Sequence, residues 1–309
     1  CIRDSLYTTM KKVVIITGAS RGFGELIAKK FQKENFQVIA TMRNIDSSPI
    51  LKKLENVDIK RLDVTVKSDI KNVVDYTVKK YGRIDILINN AGYGAFGFLE
   101  EASDEEIRNQ FNVNYFGLID CIKGVLPQMR KQKDGVIVNI SSIAGRFGLP
   151  FTSLYNSSKF AVEGLTECLH YELSLFVIDI KTVAPGSFRT GFHDSINFTE
   201  DEKKEDLDVV RENLKKALED GIKNKPPFPF GFGNNDDVAN FVFKKSITKS
   251  KVSNFIGRDT KIINFFILNP ALTSVGGGTG QAGGGDGQPL SAGVPGAGWN
   301  FRPTARPTA

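Results

Sequence analysis

The chain has little of what marks several common protein classes. Its 309 residues hold only 3 Cys, 2 His and 1 Trp. The thiols, Cys1, Cys121 and Cys168, form an odd set without a CxxC pair. That excludes a disulfide-stapled scaffold and points to reduced thiols in the cytoplasm. Cys and His are too few for a metal cluster, so no metal is expected. No apolar run approaches the ~20 residues needed to cross a bilayer, and Cys1 to Met10 lacks the apolar stretch of a secretory signal. No basic block alternates with aromatics, which argues against nucleic acid. The net charge of +6 comes instead from scattered pairs such as Lys29-Lys30 and Lys215-Lys216 among acidic residues. Such a solvated surface has a mild positive field that favours a phosphorylated cofactor. What remains, 40% hydrophobic and 25% charged residues, is the composition of a soluble globular protein.

The composition breaks near residue 275. Up to Lys261 the chain is rich in Lys, Asn, Ile and Phe, whereas beyond Val275 it is Gly, Ala and Pro without Lys. Residues 276–309 are therefore expected to be a disordered tail of foreign origin. Residues 1–9 read as a non-native or disordered leader, with Met10 as the natural start. The body, 10–275, alternates β-branched runs with amphipathic stretches. Strands are expected at Val13–Ile16, Val38–Ala40, Asp58–Leu62, Ile84–Ile88, Val136–Ile140 and Ile178–Val183, with helical stretches at Ser103–Arg130 and Ser153–Leu175 among others. Strands with little alternation, joined by helices, imply a parallel sheet buried on both faces. The fold class is thus α/β: one Rossmann-type doubly wound sheet in a three-layer α/β/α sandwich. After the sixth strand comes a charged insertion, about 190–235. Thr199-x-x-Glu202 resembles a capping box, and Leu207, Val210, Leu214 and Leu218 recur at helical spacing. A surface helix would suffice, but an insertion beyond a strand's carboxyl end overhangs the ligand crevice, which favours a substrate lid.

Thr17 to Gly24, reading TGASRGFG, follows the first strand and opens a helix. Glycines here let the backbone turn tightly and approach a pyrophosphate, whose charge is favoured at a helix N-terminus. The spacing G-x3-G-x-G is a moderate signal alone, and its strand–turn–helix context strengthens it. NAD enzymes of this architecture carry an acidic residue at the end of the second strand for the ribose 2′-hydroxyl. Here that place reads Thr41-Met42-Arg43, and Arg21 stands in the turn. Two guanidinium groups without the carboxylate suit a 2′-phosphate, so NADP(H) is preferred and NAD(H) remains possible.

Tyr155 and Lys159 lie four residues apart in a helical stretch and share a face. A free Tyr has a pKa of ~10, and a neighbouring ammonium is expected to lower it, making Tyr155 a proton donor and acceptor. Ser142, just after the fifth strand, is placed to bond the same substrate oxygen. Asn114 sits within a helical stretch, where a buried amide needs a reason.

Seven motifs in order now carry a resemblance: Thr17 to Gly24, Asp63-Val64-Thr65, Asn89-Asn90-Ala91-Gly92, Asn114, Asn139 to Ser142, Tyr155-x-x-x-Lys159 and Pro185-Gly186. Roughly Lys12 to Phe265 resembles a short-chain dehydrogenase/reductase. The resemblance implies Tyr155 as acid/base, Ser142 polarising the carbonyl, and Lys159 on the nicotinamide ribose. It implies Asn114 behind a proton-relay water, and a cofactor held by Gly18, Ser20, Arg21, Gly22, Phe23, Gly24 and Arg43. Asp63 and Val64 would meet adenine, Asn90 the cofactor ribose, and Pro185, Gly186 and Thr190 the nicotinamide. Ser142 is preferred to Ser141 because it lies 13 residues before Tyr155, the family spacing. Ala40 to Asn44 and Asn90 to Gly94 look like the steroid and retinol dehydrogenase-like branch. The family further implies a homodimer or homotetramer.

Other residues invite roles with less reason. His170 reads as structural or surface, while His193 faces substrate or solvent. Cys121 and Cys168 read as core or interface residues, and Asp236-Asp237 as a helix cap. Phe96, Phe98, Phe147, Phe151, Phe188 and Phe192 cluster near the motif loops; they are core packing or the walls of an apolar substrate site. The expected activity is interconversion of a secondary alcohol and a carbonyl compound, the small-molecule partner. The alternative is a non-catalytic NADP(H) sensor or scaffold.

Overall fold

The computed structural model describes residues 11–188, 195–223, 233–257 and 260. The first strand, β1 (Val13–Ile16), is buried at all four positions, as a strand covered on both faces must be. It leads to α1 (Gly22–Lys33), β2 (Gln37–Met42), β3 (Val57–Arg61), α2 (Lys67–Tyr81), β4 (Ile86–Asn89) and the short β5 (Gly94–Phe96). Next come α3 (Asp104–Phe111), a π-helical turn (Asn112–Phe116), α4 (Gly117–Gln132), β6 (Gly135–Ile140), α5 (Ser153–Ser174) and β7 (Ile178–Pro185). The chain continues through β8 (Ile196–Phe198), α6 (Asp208–Lys223), α7 (Asn235–Ile247) and β9 (Ser253–Ile256).

Seven strands form one parallel sheet in the order β3-β2-β1-β4-β6-β7-β9. The strand order reverses between β1 and β4, so the loops after these strands diverge and open a crevice at their carboxyl ends. One face is closed by α1 and α7, with Phe31 edge-on to Phe36 and to Phe243, each at 5.1 Å. The other is closed by α2, α4 and α5 through Ile70, Val73, Ile122, Val125, Met129 and Val162. The chain is a single-domain, three-layer α/β/α sandwich. Each fully buried side chain of this size contributes about 1.5–3 kcal/mol relative to exposure, so both faces hold the sheet.

The six expected strands are present with edges shifted by a residue or two. Two features were not expected. The edge strand β9 is only four residues, half of them polar, and Asn254 reaches from it to the Thr182 carbonyl at 3.2 Å. β5 and β8 form a separate two-stranded parallel sheet, each strand three residues long and distant in sequence. Neither carries a periodic signal long enough to read.

The stretch Ser103–Arg130 is not one helix. It is α3, the π turn and α4, with Ser103 as N-cap of α3: its Oγ accepts from the Glu106 N–H at 3.2 Å, and the Glu106 carboxylate accepts from the Ser103 N–H at 2.9 Å. The capping box expected at Thr199-x-x-Glu202 does not form. The Thr199 N–H bonds the Phe96 carbonyl at 2.8 Å and that of Glu202 the Glu101 carbonyl at 3.0 Å, so tertiary pairing overrides the local pattern and the helix begins at Asp208. Asn234 caps α7, with Asp236 and Asp237 in its first turn.

The insertion is fastened at its base. Arg211 of α6 and Glu101 are both buried, and the guanidinium donates to both carboxylate oxygens, through Nε at 3.0 Å and through Nη2. Charge-assisted pairing of this kind fixes orientation as well as position. The expected leader, the tail, Thr190, Phe192 and His193 lie outside the described residues.

Candidate active site

The glycine-rich turn is laced to the end of β4. The Thr17 Oγ accepts from the N–H groups of Asn90 and Ala91, each at 3.0 Å. The Asn90 amide donates to the carbonyls of Thr17 at 3.0 Å and Gly18 at 2.9 Å. The resemblance places Asn90 by the cofactor ribose; in this structure its amide nitrogen holds the turn. A Cβ on Gly24 would stand 2.3 Å from the Gly18 carbonyl oxygen and 2.6 Å from the Asn90 amide. Gly18 has φ +66°, and a Cβ there would lie 2.9 Å from the Ala91 Cα. Backbone and the Asn90 amide therefore fill the inside of the turn and leave no room for a side chain, the tight glycine-rich geometry that a pyrophosphate site at a helix N-terminus uses. Gly22 opens α1 behind half-buried Ser20 and exposed Arg21. Phe23 packs edge-on against Phe188, just after β7, at 5.7 Å.

At the adjoining strand ends, Arg43 is exposed directly after β2. Burial pushes the Asp63 carboxyl up, but hydrogen bonds from Thr65 and the positive charges of Arg43 and Arg61 hold it below its ordinary value. Val64 is buried under the start of α4, against Gly117. Arg21 reaches the other way and donates to the Ser195 hydroxyl at 2.7 Å. Pro185 ends β7, and the Gly186 N–H bonds the Ile256 carbonyl at 2.9 Å.

Across the crevice, Ser142 leaves β6 in extended backbone and caps a short turn, its Oγ accepting from the Ala144 N–H at 3.1 Å. Tyr155 and Lys159 project from one face of α5 and are both buried. Ser142 hydrogen-bonds the Tyr155 phenol, which pulls its pKa down, but burial outweighs this and pushes the phenol up to about 12. The sequence expectation of a phenol lowered by Lys159 is therefore corrected. The Lys159 Nζ lies 5.8 Å from the Tyr155 ring centroid and donates to the Ile140 carbonyl at 2.9 Å. Burial lowers the ammonium to about 8, against an upward pull from Glu163.

Asn114 stands in the π turn, a helix irregularity frequent at functional sites. Its Oδ1 accepts from the Tyr93 N–H at 3.0 Å, and its Nδ2 donates to the Tyr93 carbonyl at 2.9 Å and the Ser158 hydroxyl at 3.2 Å. A Cβ at Gly92 would lie 3.1 Å from the Asn114 Oδ1 and 3.8 Å from the Lys159 Nζ, so one point at Gly92 adjoins both groups. Phe96 packs on Tyr155 at 5.7 Å, and Phe98 on Phe151 at 5.1 Å. His170, partly buried, lies edge-on to Tyr171 on α5. Cys121 is buried in the core, its thiol pushed up to about 12 by burial and Asp120, whereas Cys168 is exposed. Sequence reading passed over Glu163, four residues beyond Lys159; its spacing was the available signal.

Residues 12–201 match the family described as short chain dehydrogenase. A 3-ketodihydrosphingosine reductase of Bacteroides thetaiotaomicron is 42% identical over 192 residues, 61% of this chain and 68% of the relative. The solved structure of ElxO with NADP bound is similar at 31% identity and TM-score 0.66, covering 80% of this chain and 97% of that one. A short chain dehydrogenase/reductase from Burkholderia phymatum in complex with NAD is similar at 25% identity and TM-score 0.72, covering 91% and 98%. The chain belongs to the short-chain dehydrogenase family. Among the described residues, no helix is long and apolar enough to cross a membrane.

Proposed function

We propose that this short-chain dehydrogenase is an NADP(H)-dependent oxidoreductase that interconverts a secondary alcohol and a ketone or aldehyde, on an apolar substrate. The observation that carries this reading is the meeting of Ser142, Tyr155 and Lys159 across the crevice from a glycine-rich turn too tight to admit a Cβ. That turn fits a dinucleotide: Gly18, Ser20, Gly22 and Gly24 hold the pyrophosphate at the start of α1, beside Phe23. Arg43 would take the 2′-phosphate, joined by Arg21 on leaving the Ser195 hydroxyl, while Asp63 and Val64 would meet the adenine and Pro185, Gly186 and Thr190 would flank the nicotinamide. When bound, the cofactor supplies or accepts a hydride at the carbonyl carbon.

The protein's own groups manage the proton and the orientation. Ser142 donates a hydrogen bond to the substrate oxygen, and Tyr155 hands over its phenolic proton as that oxygen gains charge. A phenol raised to about 12 stays protonated at neutral pH, the form that reduction needs. Lys159 stabilises the phenolate left behind and holds the nicotinamide ribose, and Asn114 supports a water that returns the proton. Phe96, Phe98 and Phe151 wall the substrate side, which suits a bulky apolar ketone. The similarity to a 3-ketodihydrosphingosine reductase supports that class. A cytoplasmic homodimer or homotetramer is part of the same reading; Phe116 at the start of α4 and Phe160 on α5 are 52% and 45% exposed and suit a helix-face contact.

A sensor that binds NADP(H) without turnover would need neither Tyr155 nor Lys159, and both are in place. The test is cofactor absorbance on mixing NADPH or NADH with carbonyl compounds from small to steroid-sized. Carbonyl-dependent loss confined to NADPH supports the proposal, and tight NADPH binding with no turnover on any of them rejects it.

A further inference from the structure

Glu163 is a buried acid, 3% exposed, one helical turn beyond Lys159 on α5. Its Oε2 gathers three donors from three other segments. They are Arg146 Nη2 at 2.9 Å, Thr182 Oγ1 of β7 at 2.9 Å and Ser253 Oγ of β9 at 3.4 Å. Arg146 ends the short turn that Ser142 caps. The backbone of that turn presses on the same stretch of α5: a Cβ at Gly145 would lie 2.9 Å from the Lys159 carbonyl oxygen and 3.1 Å from the Glu163 Cγ. One carboxylate therefore ties the Ser142 turn to the helix that carries Tyr155 and Lys159.

Hydrogen bonding alone does not call for a charge here, since a neutral amide would accept from the same hydroxyls. Burying a carboxylate is costly unless other charges compensate it. Arg146 is one such partner, but it also serves Glu167 at 2.9 Å. The second Glu163 oxygen, Oε1, is buried without a hydrogen bond among the described residues. Lys159 is the next buried cation along the helix face and is itself desolvated. The groups that bear on its charge are Tyr155 and Glu163 on α5 and, through Glu163, Arg146 from the turn after β6 and Glu167. Its contact on β6 is the neutral Ile140 carbonyl, and the residues beside it at the β4–β5 connection are Gly92 and Asn114.

We infer that Glu163 is a positioning residue of the active site, holding the Ser142 turn against α5 and setting a buried carboxylate one helical turn from the Lys159 ammonium. The inference rests on Lys159 acting as the cation beside Tyr155. Without the Glu163 charge, desolvation of Lys159 acts with less opposition and its proton leaves at lower pH. In the native protein burial takes that group to about 8 while Glu163 pulls it up.

The test is titration of Lys159 by NMR in the full chain carrying ε-13C lysine, its signal assigned by loss in Lys159→Arg. Glu163→Gln should lower the Lys159 midpoint by about one unit, the effect of a full charge across several ångströms in a protein interior. Glu163→Asp should restore most of it, and Thr182→Val, which removes one hydrogen bond but no charge, should leave it in place. Arg146→Met, which leaves the carboxylate less compensated, should move it upward and serves if Glu163→Gln does not fold. An unmoved midpoint in Glu163→Gln, or in Arg146→Met should that variant stand in for it, overturns the inference. The titration needs no substrate, so absence of turnover in the native protein would sink the reductase assignment and leave this result standing. Where turnover is present, the alkaline limb of its pH profile should move with the midpoint; a purely bracing residue would lower the rate at every pH.

Discussion

The Lys159 ammonium and the Tyr155 ring lie 5.8 Å apart on one face of α5, with the ammonium turned to the Ile140 carbonyl. The pair thus holds a protonated phenol beside a cation that burial has made easy to deprotonate. Its pH behaviour follows from the two shifts. Lys159 is charged below about 8 and loses its proton above it. Tyr155 keeps its proton up to about 12. Reduction, which needs both protons in place, should be level through neutrality and fall as pH rises through about 8. A pH profile of kcat/KM for carbonyl reduction checks this; a fall only towards acid pH would contradict it.

Cofactor choice should follow the charge after β2. Arg43→Asp places a carboxylate where a ribose 2′-hydroxyl would be held and repels a 2′-phosphate. The ratio of kcat/KM for NADPH over NADH should drop about tenfold or more, a change of about 1.4 kcal/mol or more. An unchanged ratio would remove the argument from Arg43.

Gly24 tolerates no side chain. An added Cβ would lie 2.3 Å from a backbone oxygen that cannot swing aside. Gly24→Ala should lower stability by about 1–3 kcal/mol, as overpacking does, and weaken NADPH binding by more than tenfold. Denaturant unfolding and cofactor titration measure the two effects separately.

The Arg211–Glu101 anchor of α6, in the insertion expected from sequence to overhang the crevice, should matter for substrate more than for chemistry. Arg211→Met leaves Glu101 buried without its guanidinium partner, in a segment remote in sequence from Ser142 and Tyr155. The expected result is a lower melting temperature and a raised KM for the carbonyl, with kcat largely kept. A kcat that falls as far as KM rises would place α6 in the reacting geometry itself.

The sheet and the placement of its motifs were legible because each rests on local chemistry. A run such as Val13–Ile16, short, β-branched and followed by glycine, reads as a strand buried on both faces, and the glycine-rich segment between that strand and a helix reads as the turn. Tyr155 and Lys159 were singled out by helical spacing and Ser142 by the family spacing, and the fold brings the three together. What stayed hidden depends on partners far away in the chain. The pairing of β5 with β8 joins residues about a hundred positions apart, and Thr199 gave up a capping role to bond Phe96. Glu163 is one acid among many until Arg146, Thr182 and Ser253 converge on it. The Tyr155 shift ran opposite to expectation because sequence shows a neighbouring charge but not the depth of burial.

The most direct test of the account replaces the one atom it depends on. Tyr155→Phe removes the phenolic oxygen and leaves the ring packed on Phe96. With NADPH and an apolar ketone that the native protein reduces, the variant should lose turnover by about 10²–10⁴-fold or more, the range for a general acid, while binding NADPH as before. Turnover near the native rate would show that the proton comes from elsewhere and contradict the mechanism at its centre.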